Sequence, residues 1–151
     1  MKHRFRKDDF SWEGVAAAGY KATGERDGEG FRGVTRHIIS GAEGEPSRFQ
    51  VRYFEVEPDG FTRLERHEHI HSVTVIRGTG YAIVGDAVHD LQNLDHVYVP
   101  PMTLHQFVNT GTAPFGFLCI VDAERDRPQP ATALDVEHLD KNAATAGKAR
   151  R

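Results

Sequence analysis

Short strand patterns, separated by glycine and proline turns, recur along most of this chain and constrain its fold more than any other feature. The run over 48–57, RFQVRYFEVE, alternates so that Tyr53 lies on one face of a strand while Arg52 and Phe54 lie on the other. Similar runs follow at intervals of about eight to twelve residues, a spacing typical of antiparallel sandwiches and barrels. The first helical pattern is the short stretch 131–139. We therefore predict an all-β fold.

The strand patterns also divide the chain, whose 151 residues suit one domain. They begin at Gly33 and end near residue 122. We therefore predict an N-terminal arm over 1–32, a barrel over 33–122 and a C-terminal extension over 123–151. The large side chains of the arm, Phe10 and Trp12, are expected to anchor it on the barrel or on a partner.

Charge and cysteine content exclude several classes of protein. The 22 acidic and 19 basic side chains give a formal net charge of −3, which argues against nucleic acid as the main partner. A single cysteine cannot form an internal disulfide, which suits a reducing compartment. The basic start lacks a following apolar segment, and no apolar run approaches membrane-spanning length. We expect a cytoplasmic protein without a membrane partner.

Histidine is the unusual component, with 9 in the chain, and the segment 65–71, ERHEHIH, concentrates three of them. On a strand, Glu65, His67, His69 and His71 share one face. Neighbours on that face lie about 6–7 Å apart, so two of them can reach one ion but four in a row cannot. A turn must therefore bring some of them round, and we expect at least one not to be a ligand.

A further histidine, His105, follows the proline-rich turn at 100–101 and begins another short strand pattern. Closing a barrel can place separate hairpins on the same interior, so His105 can join the cluster of segment 65–71. One histidine alone would be read as a surface residue. Several on a barrel pattern favour a metal site, without deciding which of them bind.

Two segments resemble the signature motifs of the cupin superfamily, which are small double-stranded β-helix or jelly-roll barrels. The first motif runs Gly, five residues, His-x-His, three or four residues, Glu, six residues, Gly. Aligned on Gly78, the chain has His71 at the Glu position and His67 at the second His position. Glu65 then stands at the first His position and Asp59 at the opening Gly. The spacing is kept, while Glu and His exchange places.

The second motif runs Gly, five residues, Pro-x-Gly, two residues, His, three residues, Asn. Pro100, His105 and Asn109 match it in register. Leu94 and Met102 stand where the two glycines would be. Asn109 is expected either to orient a ligand or to cap a turn.

The resemblance implies a jelly-roll barrel around one divalent metal ion, and Fe, Mn, Ni or Zn suits three imidazoles and a carboxylate. An alternative alignment pairs His67 with His69 but leaves Val73 or Thr74 at the fourth position, and neither binds a metal. His69 remains a proton shuttle, a solvated residue or an alternative ligand. We assign tentative catalytic roles to His69 and Glu65. The metal ligands that the resemblance implies are Glu65, His67, His71 and His105.

An octahedral ion with four protein ligands has two open positions, which fit a bidentate hydroxy-keto or diketo compound, or O2 beside a substrate. The resemblance therefore implies a dioxygenase-like or lyase/isomerase activity on a small molecule. The alternative is a non-enzymatic ligand-binding or sensor protein with a structural metal or none. Because cupins commonly dimerise, we also expect a homodimer, with Phe10 and Trp12 of the arm at its interface. Cys119 is expected to be buried and inert.

Overall fold

The computed structural model describes residues 2–21, 25–42 and 44–151. Nearly all of the regular structure there is strand, with a short helix near the C-terminus. In chain order the elements are β1 (Phe5–Arg6), β2 (Ser11–Trp12), β3 (Ala17–Gly19), β4 (Arg32–Ser40), β5 (Phe49–Phe61), β6 (Glu65–Arg66), β7 (His71–Arg77), β8 (Gly80–Val84), β9 (Ala87–Leu91), β10 (His96–Val99), β11 (His105–Asn109), β12 (Phe115–Asp122), β13 (Gln129–Pro130) and α1 (Ala133–Lys141).

One curled antiparallel sheet contains most of these strands. Its hydrogen-bonded order is β10-β7-β12-β5-β11-β6-β13, with β4 also on β5, and β8 on β11 leading to β9. Neighbours in the sheet are therefore distant in sequence, as in a jelly roll. The predicted all-β jelly-roll class is confirmed.

The barrel interior is apolar over most of its length. Val56, Val75 and Phe115 are fully buried in a cluster formed largely by β5, β7 and β12. Each such side chain contributes roughly 1.5–3 kcal/mol relative to an exposed one. A second cluster lies under α1 and includes Ile83 and Leu139. With both clusters apolar, the buried charged and histidine side chains are concentrated in one region, described below.

Strand β5 contains Pro-Asp-Gly at 58–60, a sequence typical of a turn. The strand instead continues through these residues to Phe61, which pairs with Val108 of β11. Asp59 has a φ of 62°, so the chain kinks there without reversing. This kink lets β5 leave β12 and join a different neighbour.

Both terminal segments pack on the barrel. In the arm, the rings of Phe10 and Trp12 lie 5.5 and 5.1 Å from the ring of Tyr53, and β3 pairs with β4. In the extension, β13 pairs with β6, and the Gln106 side chain donates to the carbonyl of Arg150. The homodimer and the boundaries at residues 32 and 122 remain predictions. Within the described residues, no helix has the length and apolar character needed to cross a membrane.

Left-handed backbone occurs at glycine positions of the two motifs, whether or not glycine is present. The φ angles are 62° at Asp59, 66° at Gly78, 73° at Leu94 and 54° at Met102. Only glycine adopts this region without strain, and other L-residues lose about 1–2 kcal/mol there. The loops thus keep the geometry of the motifs although three of the four positions have lost their glycine.

Candidate metal centre

A cavity of about 1100 Å³ lies inside the barrel, and a set of ionisable side chains lines it. They come from β4, β5, β6, β7 and β11, from the turn before β7, and from both terminal segments. The ionisable and sulfur-containing residues of the lining are Lys21, Glu25, Arg36, Arg52, Arg63, Glu65, His67, His69, His71, His105, Cys119, Arg125, Asp126 and Arg127, together with Tyr20.

Four imidazoles meet in this cavity. Ligand nitrogens of His67, His69 and His71 all lie within 4.8 Å of one another. The two Nε2 atoms of His67 and His71 are 2.8 Å apart. The ring of His105 lies 4.8 Å from that of His67 and 5.0 Å from that of His71. The turn before β7 therefore gathers residues that a straight strand would keep apart.

Backbone carbonyls fix the orientation of two of these rings. His67 Nδ1 donates to the carbonyl of His69 at 2.7 Å, and His105 Nδ1 donates to the carbonyl of Thr103 at 2.8 Å. A carbonyl only accepts, so the proton lies on Nδ1 and the lone pair on Nε2. An outer hydrogen bond of this kind is what fixes a metal-binding histidine.

A carboxylate holds the third ring. His69 Nδ1 lies 2.7 Å from Asp126 Oδ1, and the same carboxylate accepts from the backbone N–H groups of Glu68 and His69. Burial opposes ionisation, but these hydrogen bonds outweigh it and hold the pKa of Asp126 below its usual range. His69 is thus fixed with Nε2 free, in an arrangement suited to a ligand or a proton carrier.

The fourth ring, that of His71, contacts the thiol of Cys119, with Nδ1 3.0 Å from Sγ. Cys119 is buried as expected, and burial raises its pKa to about 11, so the thiol is protonated at neutral pH. It nevertheless lines the cavity. This contact gives the Nδ1 proton of His71 an acceptor when Nε2 is used elsewhere.

Burial keeps the imidazoles uncharged. It lowers the pKa values of His67 and His69, lowers that of His71 well below the usual range, and lowers that of His105 to about 3. Neutral imidazole is the form that binds metal ions. The cluster is therefore ready to bind at neutral pH without first losing protons to solvent.

Glu65 lies in the same cavity, directly opposite His105 in the pairing of β6 with β11. Both of its carboxylate oxygens accept from Lys21 Nζ at 2.6 Å. Burial lowers the pKa of Lys21, and Glu65 counteracts that effect. Glu65 as a metal ligand or proton carrier remains a prediction.

Several lining residues were missed by sequence reasoning. Asp126 belongs to the mixed-charge run 124–127, a pattern typical of a solvated surface, yet it anchors His69. Lys21 reaches the cavity from the arm. For Arg52 a signal existed, because it shares a strand face with the core residue Phe54. A cation at an inward position of an alternating strand marks a functional cavity.

The donor set fits a divalent metal ion. His67, His69 and His71 form a triad that can hold one, and His105 adds a fourth imidazole beside it. Imidazole-rich sites of this kind suit Fe, Ni and Zn, and a carboxylate ligand would favour Mn. The predicted set differs from the triad in using Glu65 and His105 in place of His69.

Comparisons with known proteins agree with the fold and the site. The family model described as Cupin domain matches residues 52–121. The 1-methylthio-D-xylulose 5-phosphate methylsulfurylase of Rhodospirillum rubrum is 39% identical over 140 residues, which cover 93% of this chain and 86% of that protein. The chain therefore belongs to the cupin family.

Two solved structures are similar over almost their whole length. A cupin 2 conserved barrel domain protein from Rhodopseudomonas palustris has 38% identity and a TM-score of 0.87, with 100% of both chains covered. A cupin-2 domain from Rhodospirillum rubrum has 37% identity and a TM-score of 0.82, covering 97% of this chain and 93% of that one. The similarity thus includes the terminal segments that complete the cavity.

Proposed function

We propose that this chain is a metal-dependent enzyme that acts on a small hydroxy-ketone. The compound in the name of the Rhodospirillum rubrum relative, 1-methylthio-D-xylulose 5-phosphate, belongs to this class. The observation that carries this proposal is the cluster of four neutral imidazoles, three of which have Nδ1 engaged by a carbonyl or carboxylate. Such a cluster supplies Nε2 lone pairs to a shared centre inside a cavity large enough for a sugar phosphate.

His67, His71 and His105 would hold the ion, with His69 or Glu65 as the further ligand. A divalent ion bound there supplies Lewis acidity, which polarises a carbonyl group. When Nε2 of both His67 and His71 binds, the His71 proton resides on Nδ1, where the Cys119 sulfur accepts it.

The chain's own groups supply proton transfer beside that centre. If His69 is not a ligand, its Nε2 is free to move a proton while Asp126 holds Nδ1. If His69 is a ligand, Glu65 is the remaining candidate, since its carboxylate lies in the same cavity and contacts Lys21. We propose the first arrangement, with Glu65, His67, His71 and His105 as ligands.

The name of the Rhodospirillum rubrum relative favours a lyase or isomerase activity over a dioxygenase activity. In 1-methylthio-D-xylulose 5-phosphate the methylthio group is attached next to a ketone. Polarising that ketone assists bond changes at the adjacent carbon without an external oxidant. We propose a small-molecule substrate of this class for the present chain.

The test uses the full chain loaded separately with Mn(II), Fe(II), Ni(II) and Zn(II) and incubated anaerobically with 1-methylthio-D-xylulose 5-phosphate. Water alone or a small thiol is supplied as the acceptor of the methylthio group. Proton NMR of the methylthio group follows the reaction. We expect consumption that needs metal, stops with chelator and is lost in His67→Ala. His89→Ala, at an exposed position away from the cavity, is the matched control.

The alternatives give different results. No consumption by any metal-loaded form would contradict the proposal and favour a binding or sensor role. A parallel incubation in air separates the remaining class, because consumption that occurs only there, with uptake of O2, would favour a dioxygenase instead.

A further inference from the structure

A group of three arginines lines the cavity beside the imidazole cluster. Arg36 of β4 pairs in register with Phe54, and Arg52 of β5 pairs with Cys119. Because alternate residues share a face, Arg36 and Arg52 are diagonal neighbours on the inward side of the sheet. Arg125 reaches the same cavity from the segment after β12.

The guanidinium groups of Arg36 and Arg52 are removed from solvent without full hydrogen bonding. Arg52 is only 7% exposed, and its Nε has no hydrogen-bond partner. The half-buried Arg36 also has an unpartnered Nε. Among the described residues, neither side chain forms an ion pair. A buried cation without a counter-charge is costly unless a ligand completes it.

Of the three other cations in the cavity lining, Arg127 is exposed and the other two already have anionic partners. Lys21 is paired with Glu65, and Arg63 is paired with Glu25. The remaining carboxylate in the lining, that of Asp126, faces His69 and two backbone N–H groups. The unpaired positive charge that is removed from solvent is therefore that of Arg36 and Arg52.

Arg125 does not balance that charge. Its hydrogen bonds go to the Gln50 side chain and to the carbonyls of Asp122 and Ala123, all of them uncharged. Burial, together with the charge of Arg52, lowers the pKa values of both Arg36 and Arg125. All three guanidinium groups line the same cavity, with Arg125 at an exposed position.

We propose that Arg36, Arg52 and Arg125 form the binding site for the phosphate group of a phosphorylated substrate. A guanidinium presents a planar fork of N–H donors that matches phosphate oxygens. Three positive charges are better balanced by the dianion of a phosphate monoester than by a single carboxylate. The identity of the substrate rests on the proposed function, whereas the anion site itself does not.

The position of the site fits one molecule that reaches both centres. Arg52 lies opposite Cys119 in the sheet, and the Cys119 sulfur contacts His71. A small sugar phosphate can then place its phosphate on the arginines and its ketone at the imidazoles. The arginines would select phosphorylated over unphosphorylated hydroxy-ketones.

The experiment titrates inorganic phosphate into the full chain by calorimetry, with the metal removed by chelator. We expect saturable binding of one phosphate per chain. Arg36→Gln and Arg52→Gln should each weaken it by about tenfold or more, as expected for losing charged hydrogen bonds. Arg63→Gln is the matched control, since the Arg63 side chain lines the cavity but is already paired with Glu25. The phosphate affinity of this variant should stay within about twofold of the wild type.

Three results would overturn the assignment: no phosphate binding by the wild type, unchanged affinity in Arg36→Gln and Arg52→Gln, or acetate binding as tightly as phosphate. Circular dichroism checks folding, and the half-buried Arg36 carries the test if Arg52→Gln does not fold. Because the titration needs neither metal nor turnover, it still reports if the proposed function fails. Metal-dependent turnover without phosphate binding would overturn only the anion site.

Discussion

Replacing Leu94 by glycine should stabilise the protein, against the usual effect of removing a leucine side chain. Leu94 is 74% exposed and has a φ of 73°, at the third position of the turn over 92–95. The left-handed conformation costs about 1–2 kcal/mol for a residue with a Cβ atom. Glycine's extra freedom in the unfolded chain offsets about 0.5–1 kcal/mol of that gain. The backbone N–H of residue 94 donates to the carbonyl of Val75, and the substitution keeps this hydrogen bond.

The expected net gain is about 0.5–1 kcal/mol, which raises the midpoint of thermal unfolding by roughly 1–4 °C for a domain of this size. Leu134 offers a matched control, since it is 76% exposed but lies within α1. Leu134→Gly should lower stability by up to about 1 kcal/mol. Calorimetric or denaturant unfolding measures both. A lower stability of Leu94→Gly would refute the conclusion that this loop retains the strained geometry of a lost motif glycine.

Three further substitutions test the site and its support. Asp126→Ala removes the anchor of His69, the proposed proton carrier, and should lower metal-dependent turnover about 10–100-fold, while the exposed Glu68→Gln should not. Metal affinity in a competition assay with a chromophoric chelator should stay within about twofold, because the proposed ligands are left in place. Asn109→Ala should cost about 2–3 kcal/mol in urea unfolding, because its buried amide donates to two carbonyls; an unchanged midpoint would contradict this. Asp135→Ala should cost about 1 kcal/mol at pH 7, since the capping box is lost. Hydrogen bonds from Thr132 lower the pKa of Asp135 to about 2, so this difference should be full above pH 3.8 and shrink as the pH falls towards 2.

The fold was largely predictable because alternation on strands reports which face is buried. That pattern placed Arg52 and Phe54 on one face, and both are buried. Tyr53, on the other face, is also buried, because Phe10 and Trp12 of the arm pack on it. The kink at Asp59 was not predictable, since Pro-Asp-Gly forms turns far more often than it bends a continuous strand. Turn chemistry is local, whereas the change of partner along β5 is decided by distant strands.

The site was predictable in part. Spacing identified the segment containing His67, and the second motif brought His105 to the same cavity, but spacing does not show which rings share a centre. The groups that fix or balance the site, Lys21 and Asp126, come from the arm and the extension. Their contacts with segment 65–71 span more than forty residues of sequence, so no local pattern reports them.

Metal analysis of untagged protein, purified under anaerobic and metal-replete conditions, tests the central claim most directly. We predict one divalent metal ion per chain in the wild type and its loss in both His67→Ala and His105→Ala. His96→Ala, an exposed histidine outside the cavity, should retain the ion. Wild-type protein that binds no metal under these conditions, or variants that retain it in full, would contradict the assignment of this imidazole cluster as a metal centre.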